Sequence, residues 1–172
     1  FSAINRYDKQ LKKKQEILKY SSISQSQTGK GWRLFRKTYI EPLVCKDRII
    51  IAGDVDFKFH IFDSLGKKIK TVTEPYPRIR FDEENQQMVL NLYKSRPSTA
   101  PDYPFWKKNI IFPSHFPAIR KVYTTRERIY IRTYRSDSKG AEFYIYSANG
   151  RRLKKTYLPI ADSYHKYPYP YM

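Results

Sequence analysis

Cysteine is nearly absent from this chain of 172 residues, because Cys45 is the only one. An intramolecular disulfide and a metal site with several cysteine ligands are therefore both excluded. Long hydrophobic runs are missing as well, and no apolar stretch approaches the roughly 18 residues that a membrane-spanning helix needs. The sequence thus predicts no transmembrane helix.

Acidic residues are few: Asp and Glu number 16 against 34 Lys and Arg, which gives a formal net charge of +18. A charge of this size attracts nucleic acid, acidic glycans and other polyanions. The alternative is that lysine keeps exposed strand faces soluble. We favour that interpretation, because the basic residues are scattered in short runs.

The sequence carries no recognisable catalytic motif. The three histidines, His60, His115 and His165, fall in a predicted strand, a proline-flanked loop and the tail, without a nucleophile or base arranged beside them. Asp54 and Asp56 are the one close acidic pair in a predicted strand-end loop, and two ligands do not make a calcium site. We therefore expect neither an enzyme nor a bound cofactor.

What the chain does contain is a repeated β-hairpin, at residues 59–70 and again at 143–154. In each copy, alternating aromatic and β-branched residues form one strand, a polar turn supplies Gly66 or Gly150, and a basic strand follows. Aromatic residues make up 16% of the chain, which suits half-buried strands. The pattern predicts an all-β fold.

The repeat extends beyond the hairpin. Residues 47–51 and 127–131 share an acid-Arg-Ile-x-Ile strand, and further strands are predicted at 36–44, where Pro42 suggests an edge or bulge, and at 118–123. Four antiparallel strands in roughly 45 residues is the size of one β-propeller blade. The sequence therefore predicts blades at residues 36–76 and 118–160.

A weaker third copy opens the chain. Tyr7-Asp8 aligns with Phe62-Asp63, but the turn that follows lacks the glycine. We expect residues 1–20 to be the outer strands of a preceding blade, followed by a loop at 21–35 that is rich in Ser, Gln and Gly. The tail at 161–172, which alternates Tyr and Pro, is expected to be extended or disordered.

Between the two blades, residues 77–117 form a predicted insertion. An acidic start at 82–84, an apolar stripe at helical spacing and a basic, proline-terminated end predict a helix over 82–94. Prolines spaced through residues 97–117 predict an extended segment that packs its rings against the sheets. Four residues of this segment could bind a partner: Tyr103, Phe105, Trp106 and His115.

Residues 112–119, 128–134, 143–150 and 158–159 together resemble the last full blade of bacterial six-bladed β-propellers of the NHL-like type. The helix before residue 112 is similar to an insertion found in that family. The resemblance implies a partial ring of about two and a half blades, a binding role without catalytic residues, and export to the periplasm or cell surface. Because a six-bladed ring takes on the order of 250 residues, it also implies a C-terminal portion or fragment of a longer protein.

Basic residues recur just after each hairpin turn, on what would be the outermost strand of each blade. The resemblance implies a non-catalytic binding or scaffolding module for a protein or an extended polymer. The alternative function is binding of nucleic acid or acidic glycan through these basic residues. A calcium-dependent propeller hydrolase is the third possible function. The basic residues concerned are Lys67, Lys68, Lys70, Arg151, Arg152, Lys154 and Lys155.

Overall fold

A computed structural model describes residues 2–20, 32–33, 42–53 and 55–160. These residues are mostly β and include two helices. They divide into two units: residues 2–20, 42–53, 55–77 and 117–160 belong to the first, and residues 32–33 and 78–116 to the second. Most of the predicted loop at 21–35, most of the strand at 36–44, Asp54, and the Tyr/Pro tail with His165 lie outside the described residues. Within the predicted loop, residues 32–33 are described and form a short strand.

The first unit contains two four-stranded antiparallel sheets, each in simple sequential order. One sheet consists of β4 (Leu43–Cys45), β5 (Arg48–Ala52), β6 (Lys58–Phe62) and β7 (Lys68–Thr73). The other consists of β9 (Lys121–Thr124), β10 (Arg128–Asp137), β11 (Gly140–Ser147) and β12 (Arg152–Leu158). The prediction of two four-stranded antiparallel sheets is confirmed.

The two sheets share the same pairing register. Ile61 pairs with Ile50 and Lys70 in the first sheet, and Ile145 pairs with Tyr130 and Lys154 in the second. The central strands of the two sheets are therefore aligned with their neighbours in the same way. The described strands do not close into a barrel or ring.

One face of each sheet contributes to a common core. The ring of Phe57 lies 4.7 Å from that of Tyr144, and the ring of Phe59 lies 5.0 Å from that of Tyr146. Each fully buried Phe or Ile of this kind contributes about 1.5–3 kcal/mol, so this shared core is what joins the sheets. On the opposite face of the second sheet, Phe143 and Ile145 belong to a separate buried cluster.

A hairpin of β1 (Ser2–Tyr7) and β2 (Lys13–Tyr20) completes the first unit. It is two-stranded among the described residues. The hairpin lies within residues 1–20, where the weaker third copy of the repeat predicted two strands.

The second unit is built on α1 (Glu83–Ser95), which confirms the helix predicted at 82–94. Asp82 caps it, because the Asp82 carboxylate accepts a hydrogen bond of 3.0 Å from the Asn85 backbone N–H. That bond is the main cause that lowers the pKa of Asp82. Val89, Leu92 and Tyr93 form the buried stripe of the helix.

The prediction of an extended segment at 97–117 is wrong for residues 103–109, which form α2 (Tyr103–Asn109). Pro104 lies in the first turn of α2, where proline costs nothing because its missing N–H would be unbonded in any case. After α2, β8 (Ile110–Ile111) pairs in parallel with β3 (Trp32–Arg33). Prolines that looked like helix breakers therefore flank or start a helix.

Candidate functional site

Three turns of the first unit are built in the same way. The carboxylate of Asp63 accepts backbone hydrogen bonds from Leu65 and Lys67 at 2.9 and 2.8 Å. The carboxylate of Asp8 accepts from Gln10 and Lys12 at 3.0 and 2.9 Å. Such side-chain hydrogen bonds fix the conformation of a turn locally. The first hairpin and the first sheet therefore have the same type of turn, although the sequences of the two turns differ.

The turn of the second sheet uses Ser147 in place of aspartate. Its hydroxyl accepts a hydrogen bond of 3.2 Å from the backbone of Arg151. The residue three positions after Asp8, Asp63 and Ser147 is left-handed in every copy, with φ of 60°, 84° and 70° at Leu11, Gly66 and Gly150. The third copy, which lacks the glycine, thus keeps the turn by placing a leucine in the left-handed region.

A β-bulge also recurs just before each turn. The register shifts between Arg6 and Tyr7, between Ile61 and Phe62, and between Ile145 and Tyr146. A bulge increases strand twist and redirects the chain into the turn. Its presence at matching positions shows that the three hairpins are structural repeats.

Successive repeats contact one another through the turn glycine. A Cβ atom on Gly66 would lie 2.9 Å from Ile17 of the first hairpin. A Cβ atom on Gly150 would lie 2.6 Å from Ile61 and 2.8 Å from Val72 of the first sheet. Both turns therefore sit against the strands of the preceding repeat, where a Cβ atom would crowd the facing side chains.

Lys70 strengthens the second of these contacts, because its ammonium group donates a hydrogen bond of 3.1 Å to the carbonyl oxygen of Gly150. This residue had been predicted as one of the polyanion-binding bases. In the structure its ammonium group supports the contact between the two sheets.

Two more of the basic residues predicted to bind polyanions form salt bridges with acidic residues. Arg152 forms a salt bridge of 3.0 Å with Glu74, and Lys155 one of 2.7 Å with Glu142. The Glu142 hydrogen bond is the main cause that raises the pKa of Lys155. Within the described part of the chain, four of the seven predicted bases make no side-chain hydrogen bond or salt bridge: Lys67, Lys68, Arg151 and Lys154.

Glu142 itself is fully buried in the second sheet. Besides Lys155, it accepts a hydrogen bond of 2.9 Å from the Thr133 hydroxyl. The Tyr146 hydroxyl similarly donates to Glu74 at 3.1 Å, and burial first and Glu74 second raise the pKa of Tyr146 strongly. These groups fix strands and turns in place, and sequence reasoning missed them because nothing local marks a buried glutamate.

A groove of about 250 Å³ lies where the β4–β5, β9–β10 and β11–β12 turns meet. The backbone N–H of Ala148 donates to the carbonyl oxygen of Glu127 at 3.0 Å, which holds two of these turns together. Asp47 and Arg48 form a salt bridge at its edge. The residues that line the groove are Lys46, Asp47, Arg48, Glu127, Ser147, Ala148 and Asn149.

Sequence reasoning noticed the acid-Arg pairs Asp47-Arg48 and Glu127-Arg128 only as strand starts. The structure brings Asp47, Arg48 and Glu127 to one groove and leaves Arg128 out of its lining. The repeated acid-Arg pair was the one sequence signal for this groove. The groove itself could not be predicted, because it forms only where turns of two different sheets meet.

The predicted aromatic partner site is only partly assembled. Tyr103, Phe105 and Trp106 all lie on α2, where Trp106 packs at 5.5 Å from Phe105 and 5.3 Å from Tyr93. His115 lies elsewhere in the second unit, in a β-bridge with Arg80 and hydrogen bonded to the Ser114 hydroxyl. Phe105 is the exposed member of the group.

The remaining candidate groups of the described chain lie apart from one another. His60 on β6 contacts the Thr71 hydroxyl at 2.9 Å, and burial first and then Lys68 and Lys58 lower the pKa of His60. Among the described residues, no three side chains of His, Cys, Asp or Glu come together as metal ligands would. Nor does any described helix have the length and apolarity to cross a membrane.

No protein-family model, curated protein or solved structure matches this chain. Its function is therefore inferred from its own residues and geometry.

Proposed function

We propose that this chain is a non-catalytic binding or scaffolding module whose four-stranded sheets stack as the blades of a β-propeller, similar to the bacterial six-bladed, NHL-like type. Its partner is a protein or an extended polymer. The observation that supports this is the repeated contact of a turn glycine, Gly66 or Gly150, with the strands of the preceding repeat. Propeller blades are four-stranded antiparallel sheets related by such a repeat.

The outer strands β7 and β12 offer the partner surface. Each carries an exposed aliphatic side chain, since Ile69 and Leu153 are 51% and 42% exposed. The basic residues next to them in sequence point to the opposite face of the strand, so each strand offers apolar and basic positions to a chain that carries both apolar and acidic groups. This composition favours a protein or polymer partner over a purely charged one.

Polyanion binding is the second candidate function. It is supported by the four bases that have no side-chain partner in the described chain, Lys67, Lys68, Arg151 and Lys154. Lys67 and Arg151 occupy corresponding places in the two repeats, whereas Lys68 corresponds to Arg152 and Lys154 to Lys70. Cations exposed on neighbouring strands can contact a phosphate or sulfate backbone.

Salt-dependent retention on heparin and on immobilised single-stranded DNA separates the two functions. One variant replaces Lys67, Lys68, Arg151 and Lys154 by alanine. A control removes the same charge from four other exposed sites, Lys9, Lys58, Lys107 and Lys139. Our proposal expects elution well below about 0.5 M salt and equal losses in both variants, because only general charge attraction acts.

Retention above about 0.5 M salt that is lost selectively in the first variant would instead establish polyanion binding. The non-catalytic part of the proposal is tested with aryl ester and lactone substrates, with and without calcium. Turnover that follows the protein through purification would contradict it.

A further inference from the structure

The groove at the three turns differs in charge from the molecule around it. Lys46 and Arg48 contribute two positive charges, and Asp47 and Glu127 contribute two negative ones. The chain as a whole carries +18. A groove without net charge in so basic a protein is not suited to an anion.

The groove lining offers both hydrogen-bond donors and acceptors. Arg48, Lys46 and the Asn149 amide are donors, whereas the Asp47 and Glu127 carboxylates are acceptors. The Ser147 hydroxyl already accepts from the Arg151 backbone, which leaves its proton to donate. A ligand that fits this lining must both donate and accept at closely spaced atoms.

The lining also limits ligand shape and size. Ala148 and the carbon atoms of the polar side chains give the groove apolar as well as polar surface, which suits a ring that carries both C–H and polar groups. The volume of about 250 Å³ lies just below the range of roughly 300–1,000 Å³ that is usual for drug-sized ligands. One small ring with several polar groups is the size that fits.

We propose that this groove binds the ring of a neutral, polyhydroxylated sugar. Each hydroxyl of such a ring can donate to a carboxylate and accept from Arg48, Lys46 or Asn149, and the ring brings no charge. The groove is formed by the turns between strands, whereas the proposed partner surface lies on β7 and β12. The sugar site and the partner function can therefore fail independently.

The test is a titration of the isotope-labelled full chain, followed by the amide NMR signals of Ser147, Ala148 and Asn149. The probes are glucose, N-acetylglucosamine and maltose at about 10 mM, roughly ten times a Kd of about 1 mM. Glycine and arginine serve as zwitterionic probes. We expect the sugars to shift these three signals and the zwitterions to leave them in place.

Two groove variants and one control complete the design. Arg48→Ala and Asn149→Ala should each weaken sugar binding about tenfold, the effect of losing one good hydrogen bond. Arg128→Ala removes the corresponding arginine of the second repeat, outside the groove, and should leave the Kd unchanged. A lack of sugar shifts, a stronger response to zwitterions, or equal effects of all three variants would overturn the proposal.

Discussion

At the scale of single residues, the ion pair of Glu142 and Lys155 is asymmetric. The Glu142 side chain is fully buried, whereas that of Lys155 is 47% exposed. Removing the lysine leaves a buried carboxylate without its counter-charge, but removing the carboxylate leaves a lysine that can turn toward water. A buried charge without a partner is the more costly outcome.

Lys155→Met should therefore lower the free energy of unfolding by about 2–3 kcal/mol, less than for a fully enclosed pair because water screens the lysine. Glu142→Gln keeps hydrogen-bonding groups beside Thr133 and should cost about 1–2 kcal/mol. Urea unfolding measures both, with Lys154→Met as the matched neighbour that has no side-chain partner among the described residues. Equal costs for Lys155→Met and Lys154→Met would contradict this asymmetry.

At the scale of secondary-structure elements, the three hairpins obey one turn rule with one exception. Leu11 occupies the left-handed position that Gly66 and Gly150 hold in the other copies, with φ of 60° and a side chain that is 81% exposed. An L residue in that region is strained by roughly 1–2 kcal/mol. The exposed side chain gives little burial in return.

Leu11→Gly should stabilise the protein by about 1 kcal/mol, since it removes the strain while adding some flexibility to the unfolded chain. Thermal and urea unfolding would show this as a higher midpoint with unchanged cooperativity. Leu65→Gly is the control, because Leu65 is also an exposed turn leucine but is not left-handed, and it should be neutral or destabilising. A destabilised Leu11→Gly would show that the leucine makes a needed contact.

The hairpins and α1 were predictable because their signals are local. Strand alternation, the Asp63 turn and Gly66 lie within a dozen residues of one another, and Asp82 precedes a clear helical stripe. The helix α2 was missed because Pro104 indicates a break unless it is known to occupy the first helical turn. Which role a proline takes depends on the residues packed around it, such as Tyr93 beside Trp106.

At the scale of the whole molecule, the features missed from the sequence are those that join distant segments. The groove unites Asp47 with Glu127 and Asn149, and the Lys155 pair depends on the complete burial of Glu142 in the folded chain. The bases after the turns were predicted as a group, yet their roles differ. Lys70 bonds to Gly150 because the second sheet packs there, and no local pattern distinguishes it from Lys68.

The contact that joins successive repeats can be tested by coupling between substitutions. Gly150→Ala should destabilise by about 2–4 kcal/mol, from left-handed strain and from a Cβ placed 2.6 Å from Ile61 and 2.8 Å from Val72. Val72→Ala removes one of these two obstructing methyl groups and leaves that of Ile61, so the double variant should be about 0.5–1 kcal/mol more stable than the sum of the two single costs predicts. Chemical unfolding of all four proteins measures this coupling.

The same experiment at the other contact uses Gly66→Ala with Ile17→Ala, where a Cβ would lie 2.9 Å from the isoleucine side chain. Gly140→Ala is the control, because its Cβ would overlap the backbone carbonyl of Leu158, which no change at Val72 can relieve. The same kind of stacking contact would join the hairpin to the first sheet and the first sheet to the second. If it does, the two substitutions at each of these contacts should be coupled energetically, and Gly140→Ala should show no coupling with Val72→Ala. Additive costs at Gly66 and Gly150 would mean that the repeats do not stack through their turns, and the blade assignment would lose its physical basis.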